Sequence, residues 1–180
     1  MQERAYDLRR FRVLILEDSV FISNLFSGVL KNLGIGTVIT AQSVAVAKGL
    51  ISKYNEDDNE IDIDVVLTDW LLPDGMGLDF IKWLRDHPRD NVKFLPTIVC
   101  SAYTSADLVG LSRNCGASEV MVKPVSAEKI AQRILHVIDK QRPFIQVHDF
   151  FGPDRRRKEM EYSGVDRRVL MPENIEMHHE

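Results

Sequence analysis

Five short apolar runs, each followed by a stretch long enough for a helix, constrain this chain more than any other feature. Residues 11–16 (FRVLIL), 37–41 (TVITA), 65–67 (VVL), 94–99 (FLPTIV) and 119–122 (EVMV) read as strands. Between them apolar residues recur at three- and four-residue spacing, as on one face of a helix. Ser19 caps a helix over 20–33, with Phe21, Leu25, Phe26, Val29, Leu30 and Leu33 facing a core and Gly34 at its stop. A helix over 43–54 turns Val44, Ala47, Leu50 and Ile51 inward, and one over 78–86 does so with Phe80, Ile81 and Leu84 before Pro88 ends it. Residues 105–115 form a short helix closed by Gly116, and Ser126 caps a last one reaching Gln141, with Ile130, Ile134, Leu135 and Ile138 at core spacing. Strands joined by helical crossovers run parallel, so the pattern predicts an α/β sheet with helices on both faces.

Most of these strands end on residues that carry chemistry. The first runs into Glu17 and Asp18, the third into Asp69 before Pro73 and Gly75, the fourth toward Ser101, and the fifth into Lys123. The carboxyl ends of strands in an open parallel sheet are where ligands bind, so these side chains are expected to converge. Three carboxylates brought together repel and need compensation, for which a hard divalent cation such as Mg²⁺ is suited. An oxygen nucleophile, a metal, a hydroxyl and an ammonium group are what phosphoryl transfer requires.

A chain of 180 residues, 44% hydrophobic and 28% charged, can bury the core of one ordinary soluble domain. Its net charge of −4 provides no global basic field for nucleic acid or an anionic membrane. Cys100 and Cys115 lack metal-ligand spacing and read as reduced structural thiols. The first twelve residues, with Arg4, Arg9, Arg10 and Arg12, lack an apolar signal core, and no run is long enough for a membrane span, so a cytoplasmic location is expected. The acidic run at 55–60 lacks the alternating ligands and central glycine of a calcium loop and reads as a solvated surface loop.

The motifs LILEDS, VVLTDWLLPDGMGLDF, TIVCSA and VMVKP stand in the order found in receiver domains of bacterial two-component response regulators, and residues 12–142 resemble that family. The resemblance implies a flavodoxin-like (βα)5 fold with strand order 2-1-3-4-5. It implies Asp69 as phosphoacceptor, Ser101 and Lys123 as partners of the phosphoryl group, and a cis peptide before Pro124. Mg²⁺ would be held by Asp18, Asp69 and the backbone carbonyl of Leu71, with Glu17 acting largely through water. A histidine kinase or histidine phosphotransfer protein would be the donor. Output would run through phosphorylation-dependent protein contacts, a homodimer among them.

Two positions depart from the family pattern. Val120 stands where an aromatic residue usually moves on activation, and Tyr103 or Trp70 is expected to take that part. Leu71 and Tyr103 occupy the positions that tune dephosphorylation, and neither orients an attacking water, so a long-lived phosphoryl group is expected.

Residues 1–11 form a polar arm. Residues 143–180 form a tail, without a separate output domain, in which Phe150 to Arg156 and Tyr162 to Arg168 repeat an aromatic-x-Gly-x-Asp-Arg-Arg pattern at a period of twelve. That tail is either disordered or docks on the body, a second protomer or another protein. A DNA-binding regulator using Arg155, Arg156, Arg157 and Lys158 is the alternative function. Against it, residues 151–180 balance six basic side chains (those four with Arg167 and Arg168) with seven acids (Asp154, Glu159, Glu161, Asp166, Glu173, Glu176 and Glu180), and lack the periodicity of a helix-turn-helix. An aspartyl phosphatase would carry an acid two residues after Asp69, where Leu71 stands.

Overall fold

The computed structural model describes residues 7–56, 62–102, 106–139, 142–147, 150–154 and 176–178. Its central sheet is built from β1 (Arg12–Leu16), β2 (Thr37–Ala41), β3 (Val65–Asp69), β6 (Thr97–Ser101) and β7 (Glu119–Val122). All pairings are parallel and the order is β2-β1-β3-β6-β7. That is the expected 2-1-3-4-5 arrangement once the two-residue strands β4 (Leu71–Leu72) and β5 (Gly75–Met76) are set aside. Helices α1 (Val20–Asn32), α2 (Val44–Ile51), α3 (Gly77–Arg85) and α5 (Ala106–Asn114) supply the four crossovers, and α6 (Ala127–Asp139) follows the last strand.

The sheet separates the main core into two layers. Val13, Ile15, Leu67 and Ile98 pack with Phe26, Leu30, Ile130 and Ile134 on one face, while Leu14, Leu16 and Val66 pack with Ala47, Ile51, Phe80 and Leu84 on the other. Successive strand residues point to opposite faces, and both faces are covered, which is why Val13–Leu16 of β1 and Val65–Leu67 of β3 are unbroken apolar runs.

Several elements differ from the sequence expectation. On α1, Phe26 and Leu30 are buried, but Phe21 is 79% exposed and Leu25 is 50% exposed. The helix carries apolar residues on more than one face; the stripe through Ser23, Phe26 and Leu30 is buried, and Ile22, Val29 and Leu33 pack beside it partly buried. The fourth strand begins at Thr97, not at Phe94, because a four-residue helix, α4 (Asp90–Lys93), precedes it. The amides of Phe94 and Leu95 bond back to Asp90 and Val92, and Pro96 has no N–H for a ladder, although its carbonyl still accepts from Val66. The second helix loosens into a π turn (Ser52–Glu56), where Asn55 is buried and exchanges two 3.1 Å bonds with the backbone of Ile63. Asn55 therefore belongs to the core edge and not to a solvated loop. In the arm, Leu8–Arg10 form a 3-10 turn that buries Leu8 and accepts a hydrogen bond from Gly36 N through the Leu8 carbonyl.

The beginning of the tail docks on the body. β8 (Phe144–Val147) and β9 (Phe150–Pro153) form an antiparallel hairpin, with β10 (Glu176–His178) on its other edge. Phe144 and Phe151 set their rings 4.9 and 5.3 Å from that of Phe94, and Lys93 Nζ lies 4.0 Å from the Phe151 ring centre. Beneath them the buried Arg85 donates to the carbonyls of Gly116 and Lys93 and to Thr97 Oγ1, with its guanidinium 5.0 Å from the Phe144 ring. Burial without a facing carboxylate pulls its pKa down to about 9. Gly116 (φ +89°) and Gly152 meet so closely that a Cβ on Gly152 would lie 2.7 Å from Gly116 Cα. Arg142 Nη2 also reaches the buried Glu119, at 2.7 Å, beside Arg133. These contacts lie where β6 and β7 begin, at the end of the sheet opposite Asp69. The first copy of the repeated pattern thus rests on its own domain through Phe150–Gly152, while Arg155 to Lys158 and the second copy lie outside the described residues.

Candidate functional site

Parallel strands of matched register end together, and this sheet brings the expected residues to one edge. Leu16 pairs with Thr68 and Asp69 pairs with Cys100, so the residues that follow β1 and those that finish β3 and β6 are neighbours. Carboxylate oxygens of Glu17, Asp18 and Asp69 lie within 4.8 Å of one another. Lys123, just past β7, places Nζ 2.6 Å from Glu17 Oε2 and 3.1 Å from Asp69 Oδ2. Its amide donates to the Ser101 carbonyl at 2.7 Å, which locks the loop to the end of β6, and the Lys123–Pro124 peptide is cis as expected. Ser101 itself is the last residue of β6 and fully buried.

Asp69 is held from the backbone side. Trp70 N donates to Asp69 Oδ1 at 2.8 Å, while Trp70's own position is fixed by a bond between that amide and the Cys100 carbonyl. The Asp69 carbonyl accepts from Thr68 Oγ1 and is approached by the first residue of α3, where a Cβ on Gly77 would stand 2.0 Å from it. Gly77 is a site residue that sequence reasoning passed over. It was visible only as part of a glycine-rich turn, whereas its role is to let a helix begin against the Asp69 backbone.

The electrostatics are poised toward cations. Glu17 is 2% exposed, and burial pushes its pKa up against the opposing hydrogen bond from Lys123. Desolvation works against the Lys123 charge as well, but the bond to Glu17 and the attraction of Asp69 outweigh it, and its pKa is raised. Three carboxylates thus face one ammonium group. The donors are all oxygen, one of them buried at the floor and one, Asp18, exposed at the mouth, a set that suits a hard divalent cation.

Of the other expected residues, Leu71 lies in β4, paired with Met76 of β5, and its side chain is 50% exposed. Val120 is packed against a buried cluster of Trp70, Leu78, Ile81, Val99, Leu108 and Ala117, to which α5 contributes Leu108. Tyr103 lies outside the described residues. Cys100 and Cys115 are free thiols, the first buried. No helix among the described residues is long and apolar enough to cross a membrane.

Comparisons with known proteins converge on one family. Residues 13–135 match the model of the response regulator receiver domain. Chemotaxis protein CheY-3 of Vibrio cholerae serotype O1 is 22% identical over 132 residues, spanning 73% of this chain and 95% of its own. The phosphate regulon transcriptional regulatory protein PhoB of Klebsiella pneumoniae is 29% identical over 132 residues, or 73% of this chain and 53% of its own length. Among solved structures, chemotaxis protein CheY4 of Vibrio cholerae superposes with a TM-score of 0.62 at 26% identity, covering 71% of this chain and 98% of its own.

Proposed function

The chain belongs to the response regulator receiver domain family, and on that premise we propose that it accepts a phosphoryl group on Asp69 from a histidine kinase or a histidine phosphotransfer protein. One carboxylate oxygen of Asp69 attacks phosphorus, the bond from phosphorus to the donor's nitrogen breaks, and the donor imidazole keeps the electron pair. The observation that carries this reading is the placement of Lys123 Nζ between Glu17 and Asp69, at the mouth of a cluster that includes Asp18. Lys123 is thereby positioned to follow the added charge, and the Ser101 hydroxyl at the neighbouring strand end is the second donor. Asp18, Asp69, the Leu71 carbonyl and, through water, Glu17 would hold Mg²⁺, which neutralises charge on the phosphoryl oxygens.

Phosphorylation adds nearly two negative charges and three acceptor oxygens at Asp69. Lys123 then exchanges part of its bond to Glu17 for the phosphoryl group, and Ser101 is drawn toward it, shifting the loops after β3 and β6 together with α5. Trp70 and Val120 share the apolar cluster under α5, so Trp70 fills the role for which Val120 is too small. The output is a change in protein contacts, self-association among them. Leu71 offers no polar group to orient water, and the acyl phosphate is therefore long-lived.

The test is incubation with acetyl phosphate and Mg²⁺, followed by intact mass and size-exclusion. The wild type gains the mass of one phosphoryl group and Asp69→Asn does not. Equal uptake by both would refute the assignment.

A further inference from the structure

A two-residue strand pair is not stable by itself, yet Leu71, the expected carbonyl ligand, belongs to one. The hairpin β4–β5 is closed at its base by Gly77 N donating to the Trp70 carbonyl at 3.0 Å. Its outer part is exposed at Leu71, Gly75 and Met76, while Leu72 is partly buried against the core layer that holds α2. At the tip, Asp74 reaches across to a different element. Its Oδ1 accepts from Val44 N at 2.8 Å and its Oδ2 from Ala45 N at 2.9 Å, at the start of α2, thirty residues earlier in the chain.

Those amides belong to the first turn of a helix, which has no intrahelical acceptors for them. The hydroxyl of Ser43, the cap adjoining α2 in sequence, accepts from Val46 N at 3.3 Å. Asp74 therefore divides the capping of α2 with Ser43, and in doing so ties the loop that follows the phosphoacceptor to a helix packed in the same core layer as Leu72, Phe80 and Leu84. The two backbone bonds also hold the Asp74 carboxyl below the usual range, so it stays ionised in mildly acid solution.

We propose that Asp74 is a positioning residue for the metal and phosphoryl site, fixing the Leu71 carbonyl by anchoring the tip of the β4–β5 hairpin to the N-terminus of α2. This rests on the receiver reading and deepens it, because the anchored carbonyl is the one the site needs. The linkage is reciprocal, so a cation held at the carbonyl also steadies the start of α2.

The experiment measures Mg²⁺ affinity by calorimetry on the full chain for wild type, Asp74→Ala, Asp74→Asn and Ser43→Ala. Ser43→Ala removes a cap from the same helix end without touching the hairpin, and so reports what loss of α2 stability alone does. Asp74→Ala is expected to weaken Mg²⁺ about tenfold, the scale of losing a partner that orients a ligand. Asp74→Asn, which keeps one acceptor oxygen, falls between it and the wild type, and Ser43→Ala stays within about twofold. Equal Kd values for Asp74→Ala and wild type would overturn the proposal, as would equal losses in Asp74→Ala and Ser43→Ala. If the wild type binds Mg²⁺ and is phosphorylated on Asp69 while Asp74→Ala is unaffected, only this proposal fails. If the wild type binds no Mg²⁺, the receiver reading of the site fails with it.

Discussion

Replacing Lys123 by Met removes the ammonium group that lies 2.6 Å from Glu17 and 3.1 Å from Asp69 while keeping most of the side-chain volume. At an effective dielectric of about 20 the two attractions are each worth roughly 5–6 kcal/mol before desolvation is counted. The lysine and the two acids gave up much of their hydration to make them, so the net loss is smaller. Removing one partner of a buried ion pair costs about 3–5 kcal/mol. With Lys123 still 15% exposed, the low end applies, about 3 kcal/mol. In a domain of this size that corresponds to a fall in Tm of roughly 10 °C.

The pH dependence separates this electrostatic cause from lost packing. Glu17 has a folded pKa above its ordinary 4.5, so the cost of keeping it ionised is fully present above the folded pKa and vanishes below 4.5. Without Lys123 that cost grows, because no cation remains beside it. Lys123 has a folded pKa above its ordinary 10.5, so its contribution is complete below 10.5 and is lost only as pH rises through the folded value. Urea unfolding of wild type and Lys123→Met, without Mg²⁺, at neutral pH and near pH 4.5 is therefore expected to give a gap of about 3 kcal/mol that narrows to about 1 in acid. A gap that stays constant across the two conditions would falsify the electrostatic account, since lost packing does not titrate.

Two further substitutions test the surroundings of the site and the tail. Gly77→Ala supplies a better helix former but places a Cβ against the Asp69 carbonyl, so it is expected to destabilise by about 2 kcal/mol in chemical denaturation, and a stabilised variant would show that the contact yields freely. Phe151→Ala takes away a ring packed on Phe94, Phe144 and Lys93 and is expected to cost about 2 kcal/mol; an unchanged denaturation midpoint would mean that the hairpin does not hold to the body.

What the sequence determined by itself follows from local chemistry and from register. Alternating strand and helix patterns leave few parallel topologies, and strands that end in acids must bring those acids to one edge, so Glu17, Asp18, Asp69 and Lys123 could be gathered without coordinates. Ser19 and Ser126 cap helices as their residue types require. The tertiary structure decided matters that depend on which surface is already occupied. Phe21 and Leu25 lie on a helix that has more apolar residues than the sheet has room for, and only the facing stripe is buried. Phe94 was drawn out of the fourth strand because the short helix before it captures its amide. Gly77 and Gly152 look like ordinary turn residues until the backbones they allow to touch are in place. The hairpin's seat combines Arg85, Phe94 and Gly116 from separate segments, and the hold of Asp74 on α2 spans thirty residues. No local pattern encodes contacts of that kind, because they exist only once distant segments have packed.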